Sequence, residues 1–86
     1  MIPPSYRIVW SATAVDRAAG FLSDDHDGLA ALMDRIDELA ADPRPEAGQP
    51  LGSEDLRRLR TGRYRVLYEI DDLVPTVTVI HVGRIG

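Results

Sequence analysis

Five arginines fall within nine residues, at Arg57, Arg58, Arg60, Arg63 and Arg65. A guanidinium keeps its charge at physiological pH, and its planar fork of donors fits a phosphate or a carboxylate in bidentate fashion. Such a cluster can bind an anion and stabilise charge that develops on it. It cannot exchange protons, because a guanidinium titrates only above about 12. The plainer reading of the run is a solvated face neutralised by Glu54, Asp55 and Glu69, since charge runs often serve only as surface.

Most other chemistry is excluded by what the sequence lacks. There is no cysteine, hence no disulfide framework, no zinc finger and no thiol nucleophile. No Gly-rich phosphate loop, G-x-S-x-G elbow, H-E-x-x-H pair or calcium-loop spacing occurs, so neither a metal nor a cofactor is expected. Of the two histidines, His26 sits in Asp24-Asp25-His26-Asp27, where acidic neighbours favour its charged form and a solvated helix start explains it. The net charge of -4 disfavours a general nucleic-acid binder, but it hides a segregation. Residues 1–55 carry four Arg against eleven Asp and Glu, a balance of -7, whereas residues 56–86 carry six Arg against three acids, a balance of +3. The basic half is the one that holds the arginine run.

The elements that must position these side chains follow from length and pattern. The 86 residues, 44% of them apolar, suit one small domain over residues 1–86, near the lower limit for a self-sufficient core. Met1–Arg7 shows no basic start followed by an apolar run. No run of about 18 apolar residues occurs. Neither a leader nor a membrane span is expected, and a cytoplasmic protein is the default.

Tyr6–Trp10 is β-branched and aromatic and predicts a first strand. Thr13 with Asp16 has capping-box spacing, which predicts a short helix over Ala14–Leu22. Leu29, Leu32, Met33, Ile36, Leu39 and Ala40 recur every three or four residues and mark a second, amphipathic helix ending near Asp42-Pro43. Pro43, Pro45, Gly48, Pro50 and Gly52 punctuate a loop. Strands are then expected at Leu56–Arg60, Tyr64–Ile70 and Thr76–Val82, with a turn at Thr61-Gly62. Alternation puts Arg58 and Arg60 on one face of the second strand, Arg63, Arg65 and Glu69 on one face of the third, and Tyr64, Val66, Tyr68 and Ile70 on the other. Tyr64, Tyr68 and Trp10 read as core. The expected fold is α+β, in the order β-α-α-β-β-β: two helices cover one face of a small, mainly antiparallel sheet. The arginine face is left open.

The stretch Asp42-Pro43-Arg44-Pro45, Gln49-Pro50-Leu51-Gly52, then Leu56–Asp71 with its core Gly62-Arg63-Tyr64-Arg65-Val66-Leu67-Tyr68-Glu69-Ile70-Asp71, and the ending Val77–Arg84, resemble the RelE branch of the RelE/ParE toxin superfamily. The opening Tyr6–Ser11 and the Ala14–Phe21 region fit as well, so the resemblance covers nearly the whole chain. It implies the toxin of a type II toxin–antitoxin pair, a ribosome-dependent endoribonuclease that cleaves messenger RNA and stops translation. Its implied partners are a cognate antitoxin, the ribosome and messenger RNA, with no membrane. In that reaction the 2′-hydroxyl of one nucleotide attacks the next phosphate and a 5′-hydroxyl leaves. The site must hold the phosphate, stabilise its extra charge and move two protons.

Matched position by position, the resemblance makes Arg65 the leading transition-state contact, with Arg58 on the preceding strand and Arg84 after Val82-Gly83. Arg60, Arg63 and Glu69 are the expected substrate-binding residues. The family position after Arg84 is often basic, and here it is Ile85; many members then carry a C-terminal helix with a tyrosine, whereas this sequence ends at Gly86. His81 lies four residues before Ile85 on the last strand, so by alternation it faces the same way. An imidazole titrates near about 6.5 and suits proton transfer; Glu69 is the second option for the base, and a half-buried strand residue is the plainer reading of His81. Two other functions stay open: a ParE-like inhibitor that binds DNA gyrase, and a weakened RelE-like protein that keeps only antitoxin binding.

Overall fold

The computed structural model describes residues 5–85. Residues 1–4 and 86, and with them most of the Met1–Arg7 stretch read above for a leader, lie outside the described residues. The elements in chain order are β1 (Arg7–Trp10), α1 (Ala12–Asp24), α2 (His26–Glu38), β2 (Gly48–Pro50), β3 (Leu56–Thr61), β4 (Tyr64–Asp71) and β5 (Thr76–Arg84). The strands form one sheet in the order β1-β5-β4-β3-β2. Pairing is antiparallel except for β1, which runs parallel to β5. The two helices that follow β1 cover one sheet face, and β5 later comes to lie parallel beside β1, so the expected α+β architecture holds.

β4 shows why the sheet has two unlike faces. Tyr64, Val66, Tyr68 and Ile70 are buried, while Arg65, Glu69 and Asp71 between them are exposed. The buried set joins Leu59, Val77, Val79 and Val82 from the flanking strands, Leu29, Leu32 and Ile36 from α2, and Ala14 and Ala18 from α1. Burial of this apolar surface, at about 25 cal/mol per Å², is what holds the helices to the sheet. Trp10, expected in the core, is only half-buried and packs against the cluster from the edge strand. No helix among the described residues is long and apolar enough to cross a membrane.

Several boundaries differ from those expected. α1 starts two residues early because Ser11, extended at φ -68° and ψ 156°, is its N-cap and accepts from the Ala14 N–H at 3.1 Å; Thr13 lies inside the first turn. α2 starts at His26, capped by Asp25, which accepts from the Gly28 N–H at 3.1 Å. The Pro/Gly-rich loop contains an unexpected edge strand, β2, paired with Arg57–Leu59. Three residues without apolar alternation carry no strand signal, and Pro50 is tolerated because the strand is at the edge. The β3–β4 turn is made by Gly62 and Arg63, with Gly62 at φ +58°, a conformation that glycine adopts freely.

Candidate functional site

The open sheet face is assembled by register. Arg60 lies directly opposite Arg65, Arg58 opposite Leu67, Leu67 opposite His81, and Arg65 opposite Gly83. Three strands thus contribute Arg58, Arg65 and His81 to one shallow depression of about 210 Å³, floored by Leu67 and Gly83 and flanked by Leu51. Directly paired strand residues have Cβ atoms about 4.5–5.5 Å apart, so the guanidinium groups of β3 and β4 can address one small anion.

Gly83 has a role at this point. A Cβ there would sit 3.3 Å from His81 Nε2. The imidazole therefore reaches along the face over Gly83, towards the strand position opposite Arg65. A larger residue at 83 would press on the ring.

The electrostatics separate these arginines from the others. Arg58, Arg60 and Arg65 enter no ion pair among the described residues. Arg58 donates instead to the neutral Gln49 side-chain oxygen of β2 at 3.3 Å. Two of the three acids expected to neutralise the face are engaged elsewhere. Glu54 pairs with Arg57 at 3.1 Å and Asp55 with Arg44 at 2.8 Å. The neutralised-surface reading therefore holds in part: Glu54 neutralises Arg57, Asp55 is drawn to Arg44, and Glu69 stays on the open face without an ion pair to Arg58, Arg60 or Arg65.

Of the seven residues named from the sequence, Arg58, Arg65 and His81 are brought together, and Arg60 adjoins them through its pairing with Arg65. Arg60 also borders a second cleft, with Arg35, Glu38 and Asp42 on its far wall. The remaining three lie apart. Glu69 is exposed on the same face, four residues from Arg65 along β4, or about 13 Å at strand rise. Arg63, expected to share a strand face with Arg65, is in the β3–β4 turn, where its charge acts on Asp25. Arg84 points to the helix side. It donates to Asp24 at the end of α1, and its guanidinium carbon lies 5.0 Å from the centre of the Phe21 ring. The Asp24 hydrogen bond holds its charged form more firmly than usual.

That helix-side corner is a network of its own. Tyr64 donates to Asp25 at 2.8 Å, and its ring meets Phe21 at a centroid distance of 5.5 Å. The Tyr64 hydroxyl, then the Gly28 N–H, hold the Asp25 carboxyl below the usual carboxylate range. The corner ties the start of β4 and the end of β5, paired at Tyr64 and Arg84, to the α1–α2 junction.

Sequence reasoning missed Gln49, Leu51 and Gly83. Gly83 lay one residue past the expected strand, which in the structure runs on to Arg84; a glycine inside a strand is a signal of close approach. Gln49 and Leu51 gave no signal, since both depend on the edge pairing of β2. Among the described residues, no three His, Asp or Glu side chains are grouped to hold a metal ion.

Comparison with known proteins bears on the whole chain. The sequence model for the ParE toxin of the type II toxin–antitoxin system parDE matches residues 8–86. The toxin–antitoxin complex RelBE from Mycobacterium tuberculosis is similar, at 29% identity and TM-score 0.78 over 93% of this chain and 98% of that one. An arginine-to-alanine double variant of the Escherichia coli toxin RelE in the free state shares 26% identity, with TM-score 0.76 over 93% of this chain and 83% of that one. The isolated Escherichia coli RelE toxin, at 23% identity and TM-score 0.82 over 95% and 86% of the two chains, shows the same fold. No curated protein sequence matches the chain significantly. With its arginine-lined sheet, its two covering helices and a family match over nearly every residue, the chain belongs to the ParE toxin family of type II toxin–antitoxin systems, within the RelE/ParE superfamily and alongside structures of its RelE branch.

Proposed function

We propose that this toxin is an endoribonuclease that cuts messenger RNA held in the ribosome. The observation that carries the reading is the depression holding Arg58, Arg65 and His81, in which neither arginine enters an ion pair among the described residues. A 2′-oxygen attacks the adjacent phosphorus, the bond to the 5′-oxygen breaks, that oxygen takes up a proton from water, and a 2′,3′-cyclic phosphate and a 5′-hydroxyl result. Arg65 and Arg58 bind the phosphate and meet the charge that grows on its equatorial oxygens. His81 accepts the 2′-hydroxyl proton, and general-base help of this kind is worth on the order of 10²–10⁴-fold. Arg60 adds positive potential along the strand beside the cut. The chain acts in the cytoplasm as one domain.

A cognate antitoxin is its other partner. The RelBE complex from Mycobacterium tuberculosis supports this, as does the intact Escherichia coli RelBE complex at 25% identity. An acidic antitoxin segment would relieve the like-charge opposition of Arg60 and Arg65.

Induced expression with and without the adjacent antitoxin frame tests the reading. Growth arrest, loss of protein synthesis and messenger RNA cut within translated codons are expected. Intact messenger RNA together with no ribosome binding by the folded protein would overturn it. The family match to a ParE toxin and Ile85 in the place of a frequent second basic residue favour a second reading, a gyrase inhibitor. A supercoiling assay run beside the translation assay separates the two.

A further inference from the structure

The last strand contains a parity problem. Val77 and Val79 are buried on the helix side, and so is Val82. Strict alternation from Val79 would turn His81 into the core and Val82 out to solvent. The ladder avoids this with a bulge. Tyr68 pairs with Val79 and Leu67 pairs with His81, so Ile80 has no partner on β4. One extra residue reverses the facing of everything beyond it. Val82 returns to the core, and His81 and Gly83 emerge beside Arg65.

A bulged residue loses its place in the hydrogen-bond ladder, and an unpaired, partly buried carbonyl is costly. Ser11 meets that need from the other end of the chain. Its hydroxyl donates to the Ile80 carbonyl at 2.8 Å, and its N–H donates to the Val79 carbonyl at 2.9 Å. The same oxygen accepts from the Ala14 N–H. The hydroxyl proton thus goes to β5 and a lone pair to α1.

We propose that Ser11 is a positioning residue for His81: by donating to the bulged Ile80 carbonyl it fixes the parity switch that turns the imidazole onto the arginine face. The catalytic consequence rests on the nuclease reading; the positioning does not.

Three variants divide the two jobs of the hydroxyl. Ser11→Asp keeps an N-cap acceptor of equal quality, and Ser11→Gly is nearly as good a cap, but neither has a proton for Ile80. Ser11→Thr keeps both. The first readout is NMR of the free toxin, as the contact between the His81 ring and the Gly83 Hα and the titration of that ring over about pH 5–8. The ring contact and titration curve are expected to persist in Ser11→Thr and to weaken and shift in Ser11→Asp and Ser11→Gly.

The second readout is cleavage. In the Asp and Gly variants kcat should fall about tenfold or more, towards His81→Ala, with KM nearly unchanged and the pH profile altered. An unchanged ring contact and titration in folded Ser11→Asp and Ser11→Gly would overturn the proposal. So would unfolding of both while Ser11→Thr stays folded, since the hydroxyl would then hold the fold rather than the histidine. Wild-type toxin that cuts no RNA, yet shows the NMR response, would sink the nuclease reading and leave the positioning intact.

Discussion

Arg65 and Arg7 carry the same charge at opposite ends of the open sheet, and the difference between them separates a site from a charged surface. Arg65 lies in the depression with Arg58 and His81, whereas Arg7 is on the edge strand opposite Thr76. If the phosphate sits at the depression, Arg65→Ala should cost about 3–4 kcal/mol of transition-state stabilisation, as loss of an oxyanion donor does. Arg58→Ala should act similarly and non-additively, because both serve one phosphate. Arg7→Ala should change cleavage only slightly. Single-turnover cleavage on programmed ribosomes measures all three, and equal losses at Arg7 and Arg65 would contradict the assignment. Arg57 behaves differently again. It is 6% exposed, donates to Glu54 and to the Gly48 carbonyl, and leaves its Nε without a partner. Glu54→Ala strips the anion from a buried cation and should destabilise by about 1–3 kcal/mol. Arg57→Met removes the charge as well and should cost less than that. Denaturant melts of the two variants decide the order. At this scale the sequence was half legible: strand parity separated Arg57 from Arg58, but nothing in it showed that Glu54 and Asp55 would be drawn to Arg57 and Arg44.

Elements carry the site through their ends and irregularities. A period-two run made β4 readable, and the three-four spacing of Leu29, Leu32, Ile36 and Leu39 made α2 readable. β2 escaped notice because a three-residue edge strand buries too little to leave a pattern. The bulge at Ile80 was written in the sequence as the skipped beat Val77, Val79, Val82, although simple alternation passes over it. The α1–α2 junction has a pH consequence. Tyr64 and the Gly28 N–H hold Asp25 below the usual carboxylate range, and Arg44 and Tyr6 do the same for Asp72. Near pH 4 the unfolded chain therefore binds more protons than the folded one, so stability falls as pH drops through and below that region. Asp25→Asn keeps a cap acceptor but cannot titrate. Its melting temperature should depend less steeply on pH below about 4.5 than that of the wild type, and an identical slope would show that Asp25 contributes nothing to acid unfolding.

The whole molecule is acidic, and its one anion-seeking face is local. The six arginines of residues 56–86 do not act as one block, because Arg57 is buried against Glu54, Arg84 is tied to Asp24 and Arg63 lies in the β3–β4 turn. What remains on the open face is Arg58, Arg60 and Arg65, enough for about three phosphate contacts. Single-stranded RNA binding through three such contacts should weaken roughly 20-fold between 50 and 200 mM salt. Removal of one contacting arginine should lower the logarithmic salt slope by about 0.7. Arg65→Ala and Arg58→Ala should each do so. Arg7→Ala should leave the slope unchanged, since Arg7 is two strands from β4 and about 17 Å along β5 from His81. A net charge of -4 works against binding at long range, so a short RNA should bind weakly in free solution. The ribosome removes that handicap if it presents the message at high local concentration and the toxin only has to fit. Fluorescence anisotropy on a short RNA, repeated with 70S ribosomes across the same salt series, tests both parts. The arginine-dependent slope should appear in each, with far tighter binding on the ribosome. A slope that ignores Arg58 and Arg65 in both settings would mean that the face meets a protein rather than a nucleic acid.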